Sequence, residues 1–98
     1  MQTDEMINVE KFCIHHQIEL SFINSLSQSG LVEIIQTDEK RVVTLQQLPL
    51  LERLVRLHYE MNINIEGLET ITHLLNRLDN MHREMLQLNN RLQFIENK

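Results

Sequence analysis

From Ile71 onward the apolar residues of this chain fall at Ile71, Leu74, Leu78, Met81, Met85, Leu88, Leu92 and Ile95, in alternating steps of three and four. Setting Ile71, Leu78, Met85 and Leu92 at a, and Leu74, Met81, Leu88 and Ile95 at d, gives an unbroken heptad seam. Neither Gly nor Pro interrupts it after Gly67. A helix of about 34 residues over this stretch would be roughly 50 Å long, whereas a compact domain of comparable total length has a radius of gyration of roughly 13 Å. The helix must therefore overhang its own domain. Packing on that domain accounts for Leu68, Ile71, Leu74 and Leu75. It does not easily account for Leu88, Leu92 and Ile95, and the seam formed by Leu78, Met81, Met85, Leu88, Leu92 and Ile95 is expected to hold a second copy of the chain.

The flanking positions suggest how two such helices would run. The g positions are Arg77, Glu84 and Arg91, and the e positions are Leu75, His82, Asn89 and Glu96. An antiparallel pair places g against g, so that Glu84 can face Arg77 or Arg91 of its partner. A parallel pair sets Arg77 against His82 and Glu84 against Asn89, which gains little. An antiparallel homodimer is expected, with a modest electrostatic preference because exposed ion pairs are worth under about 1 kcal/mol each.

Ahead of the seam the chain reads as a small domain. Residues 1–6 are polar and expected to be loose, and Ile7 starts a short strand. Asn8 suits the N-cap of a helix over Val9–His16, whose Val9, Phe12 and Cys13 form one buried stripe. A tight turn at Gln17 leads to a second helix over Glu19–Ser29, with Leu20, Ile23 and Leu26, or Phe22 and Leu26, turned inward. Gly30 is its C-terminal stop. Two short helices joined by such a turn form a helix-turn-helix. The apolar, β-branched segments 31–35 and 41–44, separated by polar residues, predict a β-hairpin wing. Thr44 and Gln47 have the spacing of a capping box for a third helix. Pro49 requires a distorted first turn or a later start. Leu51, Leu54, Val55 and His58 give this helix an inner face as far as Met61. Asn62–Asn64 form a break, after which Asn64 caps the long helix with Glu66 near its positive end. Gly67 is expected to let the third helix approach closely. The organisation is a loose segment 1–6, a winged domain 7–62 and a dimerising helix 63–98.

That order of elements resembles the MerR-like winged helix-turn-helix fold, mostly α with a small β-hairpin wing and a long C-terminal dimerisation helix. Three stretches carry the likeness further: Val9-Glu10-Lys11-Phe12-Cys13-Ile14-His15-His16, Gly30-Leu31-Val32-Glu33, and Arg56-Leu57-His58-Tyr59-Glu60-Met61-Asn62-Ile63-Asn64-Ile65-Glu66-Gly67. Together with the heptad tail through Gln87-Leu88-Asn89-Asn90-Arg91-Leu92 they resemble the chaperone-modulator family CbpM over residues 7–96. The resemblance implies a non-enzymatic protein that binds the J-domain of a DnaJ-like co-chaperone, CbpA, and masks the surface its DnaK chaperone needs. It also implies an antiparallel dimer, as in MerR-like proteins.

Charge separates this expectation from DNA binding. Residues 1–48 hold three basic residues, Lys11, Lys40 and Arg41, against seven acidic ones, a net charge of −4 out of −5 for the whole chain. The second helix, which enters the major groove in this fold, has no Lys or Arg, although phosphate neutralisation supplies most non-specific affinity. If DNA were the partner, Asn24 and Gln28 would read bases, with Lys40 and Arg41 on the backbone. The acidic front suits a basic protein surface instead, and J-domains resemble one another in their basic second helix. Glu10, Glu19, Glu33, Asp38 and Glu39 are the candidate contacts.

Other chemistry finds little footing. Cys13, the single cysteine, fits a reducing compartment. It lies close in sequence to His15 and His16, but adjacent residues on a helix diverge by about 100°, and no Cys-x-x-Cys accompanies them. His58 is expected to be half-buried and hydrogen-bonded, with His73 and His82 flanking the seam. Met61, Met81 and Met85 could line an adaptable groove, but Met81 and Met85 already belong to the seam. No catalytic constellation, cofactor motif, metal site, signal peptide or membrane span is visible, and a cytoplasmic protein is expected.

Overall fold

A computed structural model describes residues 5–96. Four helices and three short strands follow in the order β1 (Met6–Asn8), α1 (Val9–His16), α2 (Leu20–Gln28), β2 (Ile35–Thr37), β3 (Lys40–Thr44), α3 (Leu48–Met61) and α4 (Ile65–Glu96), with a single 3-10 turn at Leu45–Gln47 before α3. The expected loose N-terminal segment lies outside the described residues for positions 1–4. Met6, by contrast, is already in the sheet, paired with Thr44.

Local chemistry sets most boundaries. The Lys11 amide donates to Asn8 Oδ1 at 2.9 Å, which caps α1. Gln17 ends the helix in the left-handed conformation, at φ 57° and ψ 47°. Glu19 leads directly into α2, and Gly30, at φ +81°, turns the chain after it. On α2 the buried set is Phe22, Ile23 and Leu26, with Leu20 only half-buried. Pro49 falls in the first turn of α3, where a missing N–H costs nothing. The 3-10 turn absorbs the distortion it requires.

The sheet is antiparallel, in the order β1-β3-β2. The hairpin differs from expectation. Its first strand is Ile35–Thr37 rather than 31–35, in register Ile35 with Val42, Gln36 with Arg41 and Thr37 with Lys40. Only Asp38 and Glu39 turn the chain, Asp38 at φ 46°, as a two-residue hairpin needs. Residues 31–34 are drawn elsewhere: Val32 is buried, and Leu31 and Ile34 pack against the core. The expected capping box also fails, because Thr44 makes no side-chain cap bond. The Gln47 amide instead clamps Glu33, accepting from its backbone N–H at 2.8 Å and donating to its carbonyl at 2.9 Å. That clamp holds residues 31–34 as an irregular strap.

The core gathers Val9, Phe12 and Cys13 of α1, Phe22, Ile23 and Leu26 of α2, Val32, Val43 of β3, Leu51, Leu54 and Val55 of α3, and Leu68 of α4. Leu68 is the buried residue of the long helix. Ile71 and Leu75 are half-buried, and Leu74, expected against the body, is exposed. Beyond Leu75 the described residues of α4 are exposed. The radius of gyration is 18.0 Å and the longest dimension 59 Å, as an overhanging arm requires.

Gly67 has a different role from the one expected. A Cβ there would lie 2.7 Å from Ile63 Cγ2 and 3.2 Å from Asn64 Oδ1. Its neighbours are thus the turn that opens α4, not α3, and its own N–H donates to Asn64 Oδ1 at 2.8 Å. Gly67→Ala should lower stability by about 1 kcal/mol, because crowding the turn outweighs the helix propensity gained; urea unfolding measures it.

Candidate functional site

The two surfaces singled out by sequence are the helix-turn-helix with its wing and the distal part of α4. On the first, α1 and α2 are joined by residues 17–19, and two backbone bonds tighten the turn: Gln17 N–H to the Ile14 carbonyl at 3.2 Å and Ile18 N–H to the Cys13 carbonyl at 3.0 Å. The start of α2 is tied to the end of α3, since the Glu19 N–H donates to the Tyr59 hydroxyl oxygen at 3.2 Å. Beside it, the His58 ring stacks on Phe22 with centroids 4.2 Å apart, and Tyr59 meets both edge-on. His58 Nδ1 lies 2.8 Å from the Ile63 carbonyl oxygen. A carbonyl can only accept, so Nδ1 carries the proton.

Among the residues that would read DNA, Asn24 and Arg41 are brought together. Arg41 Nη1 donates to Asn24 Oδ1 at 2.8 Å in a partly buried setting. The bond fastens β3 of the wing to α2 and engages one end of each side chain within the protein. Gln28 and Lys40 are exposed and lie on separate elements, α2 and the wing. Arg41 also acts on Cys13. Burial pushes that thiol above its ordinary pKa, the Arg41 guanidinium works against the shift, and the Glu10 carboxylate adds to it. Cys13 is therefore a core thiol with suppressed thiolate character.

The five acidic candidates are all exposed. Glu10 is in the first turn of α1. Glu19 sits in the helix-turn-helix bend, where its carboxylate accepts from Ser21 Oγ at 3.3 Å. Glu33 projects from the strap whose backbone Gln47 holds. Asp38 and Glu39 form the wing tip, beside Lys40. The fold thus distributes them along the helix pair and wing.

Sequence reasoning did not find the groove between α1 and α3. Two adjoining hollows of about 410 and 370 Å³ share His16 and Glu52. One continues past Arg56, Tyr59 and Glu60, and the other past Lys11 and His15. Only the packing of two helices distant in sequence creates it, so no local motif announces it. Its histidines do not assemble a metal site. The His15 and His16 rings are 5.0 Å apart and nearly perpendicular, and among the described residues no three His, Cys, Asp or Glu side chains could hold an ion together. Nor, among those residues, is any helix long and apolar enough to cross a membrane.

On the second surface, Leu78, Met81, Met85, Leu88, Leu92 and Ile95 are 53–66 % exposed. Six large apolar side chains at heptad spacing lie on one face of a helix that nothing among the described residues covers. Each would contribute about 1.5–3 kcal/mol on full burial.

A family model described as MerR HTH family regulatory protein matches residues 7–90. No curated protein and no solved structure matches the chain.

Arg41 serves the fold before any partner. Asn24→Ala and Arg41→Ala should each destabilise the protein, and a double-mutant cycle should give a coupling of about 1 kcal/mol in thermal or urea unfolding.

Proposed function

The chain belongs to the MerR helix-turn-helix family of regulatory proteins, and we propose that within it this protein regulates another protein: it binds the J-domain of a DnaJ- or CbpA-like co-chaperone and masks the surface that DnaK uses. The mechanism is steric competition, without chemistry or cofactor. The observation that carries this reading is the composition of α2. A helix that should lie in the major groove offers Ser21, Asn24, Ser25 and Gln28 but no Lys or Arg, and Arg41, one of the two wing cations, is bonded to Asn24. Phosphate anchors are what non-specific DNA affinity is made of. The same elements carry exposed Glu10, Glu19, Glu33, Asp38 and Glu39, which suits a basic helix of a J-domain. Likeness to the CbpM stretches at residues 9–16, 30–33 and 56–67 supports the same partner.

The family's description favours a second reading, a transcription regulator whose α2 and wing meet DNA through Asn24, Gln28, Lys40 and Arg41. The two readings separate in one titration series. Calorimetry with the J-domain of the same organism should show binding that weakens as salt rises, because complementary charge accelerates association and salt screens it. Reversing both wing-tip acids, as Asp38→Lys with Glu39→Lys, should weaken it about tenfold. Absence of heat, together with salt-dependent binding to duplex DNA, would replace the modulator by the regulator.

Both readings use a homodimer held by the exposed seam of α4, with the helices antiparallel. Leu88→Asp places a charge in the middle of that seam, and light scattering should then report a monomer. An unchanged dimer mass would exclude the seam as the interface.

A further inference from the structure

Resting on the dimer reading above, we infer the register of the interface: two α4 helices pair antiparallel about a two-fold axis between Leu86 and Gln87, an arrangement set by reciprocal Glu84–Arg91 pairs. In this register Leu78 meets the partner's Ile95, Met81 meets the partner's Leu92, and Met85 meets the partner's Leu88. Each contact occurs twice. The six exposed seam side chains from Leu78 to Ile95 then find an apolar counterpart.

Neighbouring registers are worse for identifiable reasons. Sliding one heptad towards the body sets Glu84 against the partner's Glu84 and Arg77 against the partner's Arg91. Sliding two heptads restores an attraction, Glu84 with the partner's Arg77, but leaves Ile95 opposite the partner's Asn64 and Leu92 opposite the partner's Gly67. Sliding one heptad outward opposes Arg91 to its own copy. The slide of one heptad towards the body also gives every seam residue from Ile71 to Ile95 an apolar counterpart, so the g-position charges decide between the two, attractive in the proposed register and repulsive in that one.

The shape of α4 supports the same axis. Its surface carries a shallow, largely apolar hollow of about 420 Å³, lined by His82, Met85, Leu86, Leu88, Asn89 and Leu92. A two-fold interface must be self-complementary. In the proposed register Met85 faces the partner's Leu88 and His82 faces the partner's Asn89, so four of the six lining residues are matched across the axis. Leu86 is 49 % exposed although it lies off the seam, at a b position. The buried anchors Leu68 of the two protomers would stand about 55 Å apart along the coil, at 1.5 Å per residue. Each helix-turn-helix body is then left open for a partner of its own.

Disulfide trapping tests the register. In a Cys13→Ala background, Leu78→Cys chains are mixed with Ile95→Cys, Leu88→Cys or Met81→Cys chains and oxidised; residues facing each other bring their Cα atoms within disulfide reach. The expected result is a dominant heterodisulfide with Ile95→Cys. Trapping with Leu88→Cys or Met81→Cys instead would overturn the register while keeping an antiparallel dimer, and efficient linking of Leu78→Cys to itself would mean a parallel one. A wild-type chain that sediments as a monomer would reject the dimer reading itself. If the Cys13→Ala background does not fold, charge swaps in the native chain decide the question. Glu84→Arg should weaken dimerisation about tenfold, and adding Arg91→Glu should restore it. Rescue by Arg77→Glu instead would overturn the register.

Discussion

His58 joins the parts of this molecule. Its ring lies on Phe22 of α2, and its Nδ1–H reaches the Ile63 carbonyl in the break between α3 and α4. The break is sharp because Asn62 takes the left-handed conformation, at φ 59°. Its tightness is kept by Asn64, whose side chain caps α4, and by Gly67, where a Cβ would collide with Ile63. Leu68, fully buried, then locks the first turn of α4 into the core. One imidazole thus fixes the direction of the arm relative to the helix-turn-helix. The ring is half-buried, and its hydrogen bond to the Ile63 carbonyl satisfies the side of it turned away from water.

The wing depends on a similar economy of polar contacts. Two side-chain amides that sequence assigns to other duties hold it in place. Gln47 clamps the strap at Glu33, and Asn24 holds Arg41. The result is a winged helix-turn-helix whose second helix carries neither Lys nor Arg. Its helix pair and wing present acidic side chains, and part of its scarce positive charge is turned inward. Under the proposed function the scaffold is kept while its acidic side chains meet a basic protein surface.

The arm and the body make different demands on a partner. The body is satisfied internally, with no buried side-chain polar atom lacking a hydrogen bond among the described residues. The arm exposes a continuous apolar face that a soluble monomer rarely tolerates. Under the proposed dimer, self-association through the arm leaves the body free for a partner, because a coil whose axis lies beyond Leu75 does not cover the helix-turn-helix.

Local sequence determined a good deal by itself. The Asn8 and Asn64 caps, the Gly30 stop, the Pro49 first turn and the four-helix order follow from backbone chemistry that acts within a few residues. The seam from Leu78 to Ile95 follows from period alone, as does its exposure once the helix outruns its body. Tertiary structure decided what depends on residues far apart in the chain. Residues 31–34 form a strap rather than a strand because the core takes Val32 and Gln47 takes the Glu33 backbone. Thr44 is left without a side-chain cap bond. Asn24 and Arg41 are 17 positions apart, and nothing in either neighbourhood signals that they bond. The α1–α3 groove likewise exists only after packing. A capping residue answers to its own turn, whereas a side chain with several possible partners answers to whichever the fold brings within reach.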